Sequence, residues 1–452
     1  MAESSNGNGN GNDADNYHPA PQWLTVSYVE NILRRYKKDD DLNITDLSIK
    51  PATAKGENYA SVMTRIKVDY VRSGSNASES ENYASVMTRI KVDYVRSGSN
   101  ASESENFIVK TTYENDPFIS GIFASYQTST TEMVMYDKIL PQLSALLDGT
   151  DKSEKLFAKT IYVDYEHSAI IFEDLAICKY AIGDRLIGYD LEFTKLALRK
   201  LAKMHAAAAV FNERQPGLLT KLDHGIFNRH SRGFTPMFEN FFVEAVAFAA
   251  ECPELGNVYA DKLKRLKNLV MEYTERVYDP KDDEFNTLTH GDLWVNNIML
   301  RPKTENRDLD MLLIDFQYSA WGSPAIDLHY FFSSSLQPEL HKHINALIEY
   351  YHSVLVDTLR AFDFTGYIPT LRQMWLQLEK GKFMAVTTTL TCQAIMINDQ
   401  TADADFNALM LDNERSRNFR KVAYNNKRLR ENLKYWLPIY NQCGLLDVQE
   451  WE

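Results

Sequence analysis

"THGDLWVNNIMLRP", residues 289–302, places Asp292 five residues before Asn297, and "LLIDFQ", residues 312–317, sets Asp315 just past an apolar run, 23 residues beyond Asp292. A carboxylate and an amide on one tight loop, with a second carboxylate presented by a neighbouring strand, can hold Mg²⁺ and a hydroxyl nucleophile together. Mg²⁺ prefers few carboxylates plus phosphate oxygens and water, which suits Asn297 and Asp315 as its protein ligands. Asp292 is then free to orient the acceptor hydroxyl and take its proton. A lone His-Gly-Asp triplet reads equally well as a turn or cap; the ordered set of Lys110, Asp292, Asn297 and Asp315 favours chemistry.

Phosphoryl transfer also needs a cation on the phosphates and backbone amides over them. Lys110 lies in "FIVK", residues 107–110, like the lysine-bearing strand of kinases, and Glu132 in the following helix stands where its ion-pair partner belongs. The alternative for Glu132 is an exposed helix glutamate. Gly56, between two strand-like runs, permits the close backbone approach of a phosphate-covering loop, a weak signal by itself.

Around these residues the first part of the chain is strand-rich. Val62, Thr64, Ile66, Val68 and Tyr70 alternate with Met63, Arg65, Lys67 and Asp69, as in a half-buried strand. "ENFIVKTTY" is a second strand, and "KTIYVDYEHSAIIFEDL" an antiparallel pair. Between them "TSTTEMVMYDKILPQLSALL" has helical spacing in Met133, Tyr136, Ile139 and Leu140, with Ser129, Thr130 or Thr131 as its cap. From about residue 176 the pattern is mainly helical. Phe238, Phe241, Phe242 and Ala245 fit one packed helix face better than a substrate pocket, and His205 a packed helix histidine better than a catalytic one.

One feature fits no such pattern. Residues 57–80, "ENYASVMTRIKVDYVRSGSNASES", recur letter for letter at 81–104. Two identical units are too few, and too uncapped, for a repeat fold. The segment supplies one strand before the lysine strand, and two copies in series would reverse the direction of "FIVK". One copy therefore serves; Gly56 directly ahead of copy one favours copy one as the strand, with copy two as a surface excursion.

At 452 residues, 44% apolar and 12% aromatic, the chain can bury a sizeable core. A net charge of −13 argues against nucleic acid or an anionic membrane as partner. Cys178, Cys252, Cys392 and Cys443 form no CxxC pair, which suggests neither zinc nor a disulfide framework. Residues 1–22, rich in Asn, Gly and Ser, read as a disordered tail without a signal peptide, and no segment is long and apolar enough to span a membrane. The expected location is cytoplasmic.

"HGDLWVNNIM", "LLIDFQ…GSPAIDL", "FIVK", "EMVMYDKILPQL", "IIFEDL" and "LAKMHA" together resemble the ecdysteroid kinase-like (CHK kinase-like) family over roughly residues 25–440. That family sits with the choline and aminoglycoside phosphotransferases. The resemblance implies an α+β, two-lobed protein-kinase-like fold, with a strand-rich N-lobe over 23–175 and a mainly helical C-lobe over 176–452. It implies ATP and Mg²⁺ as cofactors and a small-molecule hydroxyl, an ecdysteroid or similar lipophilic alcohol, as acceptor. It makes Asp292 the base, Asn297 and Asp315 the metal ligands, and Lys110 with Glu132 the phosphate-side pair. Glu173 and Asp174 mark a hinge whose backbone pairs with adenine, while His290 and Asp327 brace the catalytic loop. Phe316-Gln317 after Asp315, in place of Phe-Gly, argues against a protein kinase. A choline- or aminoglycoside-type kinase and a non-catalytic pseudokinase are the alternatives.

Overall fold

Alternation along the lysine strand sorts its side chains between two layers: Phe107 and Val109 go to one apolar cluster, Ile108 to another, and Lys110 shares the face of Ile108. A computed structural model describes residues 21–52, 85–99, 101–112, 117–305, 307–400 and 406–448. The tail at 1–20, Gly56 with its loop, and copy one of the duplication lie outside the described residues.

A five-stranded antiparallel sheet forms the first part, in the order β1-β2-β3-β5-β4. Its strands are β1 (Asn43–Pro51), β2 (Ser85–Val95), β3 (Ser102–Thr112), β4 (Thr160–Asp164) and β5 (Ala169–Glu173). The Val26–Lys37 helix covers one face, packing Val29, Ile32 and Leu33 against Ile90, Val92, Tyr94 and Val109. The expected alternation is present, but copy two carries it: Thr88, Ile90, Val92 and Tyr94 are buried while Lys91 is exposed.

This corrects the assignment of the strand to copy one. β2 pairs β1 from Asn43↔Val95 to Pro51↔Thr88, and β3 along its whole length from Ser85↔Thr112 to Val95↔Ser102. The reason is connection. Copy two runs through a short turn, with Gly98 at φ +73°, straight into the lysine strand, so its hairpin closes locally. A glycine before copy one does not outweigh that.

The helix that carries Glu132 also departs from expectation at its start. After a first short helix, Pro117–Ser125, it begins at Thr128, and the preceding Gln127 sits at φ 51° with no side-chain cap bond, so none of Ser129, Thr130 and Thr131 is the cap. Its middle, Met135–Ile139, is a π-helical bulge before Leu140–Asp148 resumes α geometry. Met133, Tyr136, Ile139 and Leu140 all pack inward against Ile108, Ile170 and Phe172 of the sheet.

The second part is helical around two small sheets. β6 (Ala181–Ile182), β8 (Ile298–Arg301) and β9 (Asp310–Leu313) form one, and β7 (Thr287–Thr289) with β10 (Ala320–Gly322) the other. The Leu191–Arg214 helix runs through the core, where Ala206, Ala207 and Ala208 allow close approach. In the Thr235–Glu251 helix Phe238, Phe241, Phe242 and Ala245 are fully buried, as the one-face reading requires. Among the described residues all four cysteines are free, and no helix is long and apolar enough to cross a membrane.

Candidate active site

The β8–β9 hairpin builds the site's centre. Its register pairs Ile298 with Leu313, so the residues just outside it, Asn297 before β8 and Ile314 with Asp315 after β9, meet at the same end. The Ile314 amide donates to the Asn297 carbonyl at 3.0 Å, closing that end. Asn297 Nδ2 donates to the Asp292 carbonyl at 2.8 Å and to Asp292 Oδ2 at 2.9 Å. The five-residue spacing in the sequence is therefore a loop folded back on itself.

Gly291 is required for that fold-back. Its φ is +80°, and a Cβ there would lie 2.0 Å from the Tyr318 carbonyl oxygen. Asp327 holds the same loop from the far side, its carboxylate accepting from the amides of His290 at 2.7 Å and Gly291 at 2.8 Å. His290 Nε2 meets the Ile314 carbonyl at 2.8 Å, and burial lowers the imidazole's pKa, so the ring is a neutral brace. His205 packs as expected, yet it also holds Asp327 at 3.0 Å through Nε2 and the Tyr351 hydroxyl at 2.6 Å through Nδ1.

Lys110 reaches across from β3. Its Nζ lies 2.7 Å from Glu132 Oε1 and 3.1 Å from Asp315 Oδ1, and all three side chains are largely buried. Glu132 is thus no exposed helix glutamate. Burial alone would lower the Lys110 pKa, but the carboxylates of Asp315 and Glu132 outweigh it and hold it above its usual value. Glu132 moves upward, chiefly through burial, because it shares one ammonium with Asp315. Asp315 has φ 66°, an uncommon conformation that asparagine and aspartate tolerate best. Phe316 then turns inward against His290, Phe157 and Tyr136, with ring centroids 4.6, 5.4 and 5.7 Å away, tying the Asp315 segment to the Glu132 helix.

Asp292 is fully buried, and its pKa stands well above the carboxylate range: burial dominates, the hydrogen bonds from Tyr330 and Asn297 oppose it, and Asp315 and Asp327 add repulsion. Tyr330 donates to Asp292 Oδ1 at 2.6 Å. Sequence reasoning missed this residue. The available signal was its place three residues after Asp327, one helical turn along the same Ala325–Ser334 helix.

Glu173 and Asp174 lie at the end of β5, away from this constellation. Their amides donate to the Lys159 and Asn106 carbonyls. The Glu173 carboxylate pairs with Lys155, while that of Asp174 pairs with Arg89 of β2 and caps the Ala176 amide.

A cation implied by this arrangement has a test in the structure. Asn297 Oδ1 is buried without a hydrogen-bond partner, while the same amide's nitrogen is doubly engaged. An orphaned acceptor beside a carboxylate fits a hard divalent cation.

The model of the ecdysteroid kinase-like family matches residues 79–364, more than half the chain and narrower than the motifs suggested. The matched span opens two residues ahead of copy two and leaves most of copy one outside. No curated protein matches. Among solved structures, similarity is found to an ethanolamine kinase of Plasmodium vivax (TM-score 0.39, 14% identity, 78% of this chain and 81% of that one). A microcompartment-associated aminopropanol kinase gives TM-score 0.41 and 13% identity, covering 93% of this chain and 99% of its own. The macrolide 2'-phosphotransferase of Brachybacterium faecium gives TM-score 0.34 and 10% identity, covering 88% of this chain and 98% of its own.

Proposed function

The chain belongs to the ecdysteroid kinase-like family, and from that premise we propose that it transfers the γ-phosphoryl group of ATP to a hydroxyl of a small molecule, an ecdysteroid or a similar lipophilic alcohol. The observation that carries the reading is the bridging ammonium of Lys110, which meets Glu132, 22 residues along the sequence, and Asp315, 205 residues along, beside the Asp292–Asn297 loop. That convergence has no obvious value for stability alone, because buried ion pairs are poor stabilisers.

In this reading Asn297 Oδ1 and the Asp315 carboxylate hold Mg²⁺. Bound there, the ion would neutralise charge on the phosphate oxygens. Lys110 binds phosphate and Glu132 positions it. Asp292 orients the acceptor hydroxyl and accepts its proton, a role that its raised pKa suits. The segment after β5 receives the adenine; with the Glu173 and Asp174 amides already engaged, that pairing falls to other backbone groups there.

The surroundings of Asp292 support a hydroxylated apolar acceptor. Trp294, Tyr278, Tyr318 and Tyr330 share one aromatic and aliphatic cluster, and within it Trp294 Nε1 and the hydroxyls of Tyr278 and Tyr318 are buried without partners. Apolar surroundings that hold a few unpaired polar atoms suit such a ligand.

The test has two arms. Asp292→Asn should bind Mg-ATP like the unsubstituted protein yet lose transfer by about a thousandfold; near-normal turnover would sink the assignment of the base. A screen of hydroxyl compounds, from sterols to choline and aminoglycosides, identifies the acceptor class. Phosphorylation of the cationic compounds alone would overturn the lipophilic reading.

A further inference from the structure

Resting on the reading of Asp292 as the base, we infer that Tyr330 guards it: the phenol occupies the carboxylate oxygen at which an acceptor hydroxyl would dock, and keeps water from that oxygen until an acceptor arrives.

Both oxygens of Asp292 are engaged within the protein. Oδ2 takes the Asn297 amide at 2.9 Å, and Oδ1 takes the Tyr330 hydroxyl at 2.6 Å. Asp292 and Tyr330 are both fully buried. Asn297 cannot leave without opening the loop, since its nitrogen also holds the Asp292 carbonyl. Beyond Asp292 the Tyr330 hydroxyl faces the Cys392 thiol, a weak partner outside the loop, so Oδ1 is the oxygen that can change partners. Its backbone is fixed by the Ala325–Ser334 helix, whose Asp327 clamps the amides of the same loop. One helix therefore sets the loop's backbone through Asp327 and the state of its carboxylate through Tyr330. Burial also keeps the phenol protonated, hence a donor.

The consequence concerns coupling. In transfer, the acceptor oxygen bonds to the γ-phosphorus, the bond to the bridging oxygen of ADP breaks, and the acceptor's proton passes to Asp292. In the wasteful alternative a water oxygen takes the acceptor's place, and the products are ADP and inorganic phosphate. Both need a free oxygen on Asp292. A substrate hydroxyl brings the binding energy of a whole molecule to displace the phenol, and a lone water does not.

Tyr330→Phe removes one oxygen atom and keeps the ring that fills the core. Phosphate release from Mg-ATP without acceptor should then rise about tenfold, the population change expected when one hydrogen bond to a charged group is lost, with KM for ATP unchanged. Adding Asp292→Asn should return the rate to background. A residue that merely supported the fold would lower hydrolysis. Unchanged or lower phosphate release from a Tyr330→Phe protein that binds Mg-ATP normally overturns the inference, as does a rise that survives Asp292→Asn. Failure of the underlying reading looks different: the unsubstituted protein would not bind Mg-ATP in calorimetry.

Discussion

Two identical strands compete for the single place between β1 and β3, and the energetics of that competition lead to a sharp expectation. Copy two fills the place, leaving 33 residues between Pro51 and Ser85 and six between Val95 and Ser102. Seating residues 61–71 there instead would leave nine residues on the first connection and 30 on the second. Closure entropy scales with the logarithm of loop length, so lengthening the second connection costs about 1.4 kcal/mol and shortening the first recovers about 1.2. Every side chain on the strand is the same in both arrangements. The preference for copy two then rests on its closed hairpin turn and amounts to about 1 kcal/mol or less. Ile90 is fully buried against the Val26–Lys37 helix, and an aspartate there would ordinarily cost about 5 kcal/mol or more, through the lost side-chain packing and an unpaired buried carboxylate. With an intact copy available, Ile90→Asp should cost about 1 kcal/mol, Ile66→Asp almost nothing, and the double variant the full amount. Denaturant midpoints of the three proteins make the comparison. Hydrogen exchange read by mass, with Ile66→Val tagging copy one so that the two peptides differ, reports which copy is protected. If Ile90→Asp alone is as destabilising as the double variant, the copies do not interchange and the reasoning fails.

Two further outcomes follow from single sites. Gly291→Ala should cost about 3 kcal/mol or more in thermal unfolding, because alanine at φ +80° is strained and its Cβ meets the Tyr318 carbonyl oxygen at 2.0 Å; an unchanged midpoint would refute the fold-back geometry. His329 is partly buried with Nε2 on the Leu378 carbonyl at 2.7 Å, and desolvation lowers its pKa from the usual 6.5 to about 4. The unfolded chain therefore binds the extra proton first, and about 3 kcal/mol of stability, fully present above pH 6.5, is lost as pH falls to 4. Replacing His329 with Gln should flatten the dependence of unfolding midpoint on pH across that window; a slope as steep as before would assign the acid sensitivity elsewhere.

Much of the first sheet was legible because period-two alternation is a local property. Ile108 and Lys110 fall on one face, Phe107 and Val109 on the other, and nothing distant alters that. The choice between copies was not legible for the opposite reason. Identical strings carry no information about which one pairs, and the decision lies in how each connects to β3. The start of the Glu132 helix was misread because hydroxyl residues at 129–131 look like caps, whereas the tertiary structure turns the chain two residues earlier, at Gln127 in a left-handed conformation.

The site divides along the same line. Within the Asp292–Asn297 loop the spacing is the geometry, since five residues close a turn in which the Asn297 amide at one end donates to both the carbonyl and the carboxylate of Asp292 at the other. The Lys110–Glu132–Asp315 triad is different: no spacing relates a strand, a helix and a hairpin end. What assembles it is packing around Phe316, which touches the Tyr136 ring on the Glu132 helix and the His290 ring on the catalytic loop. Once that ring is seated, two buried carboxylates face one ammonium. The arrangement persists because each partner's removal would strand a buried charge, at a cost of about 3–5 kcal/mol. Burial shifts Glu132 upward, and repulsion from Asp315 across the shared lysine adds to it. A divalent cation drawn to Asp315 and the unpartnered Asn297 Oδ1 would relieve that excess of negative charge, so the charge imbalance of the triad and the fit of the cation are one electrostatic fact.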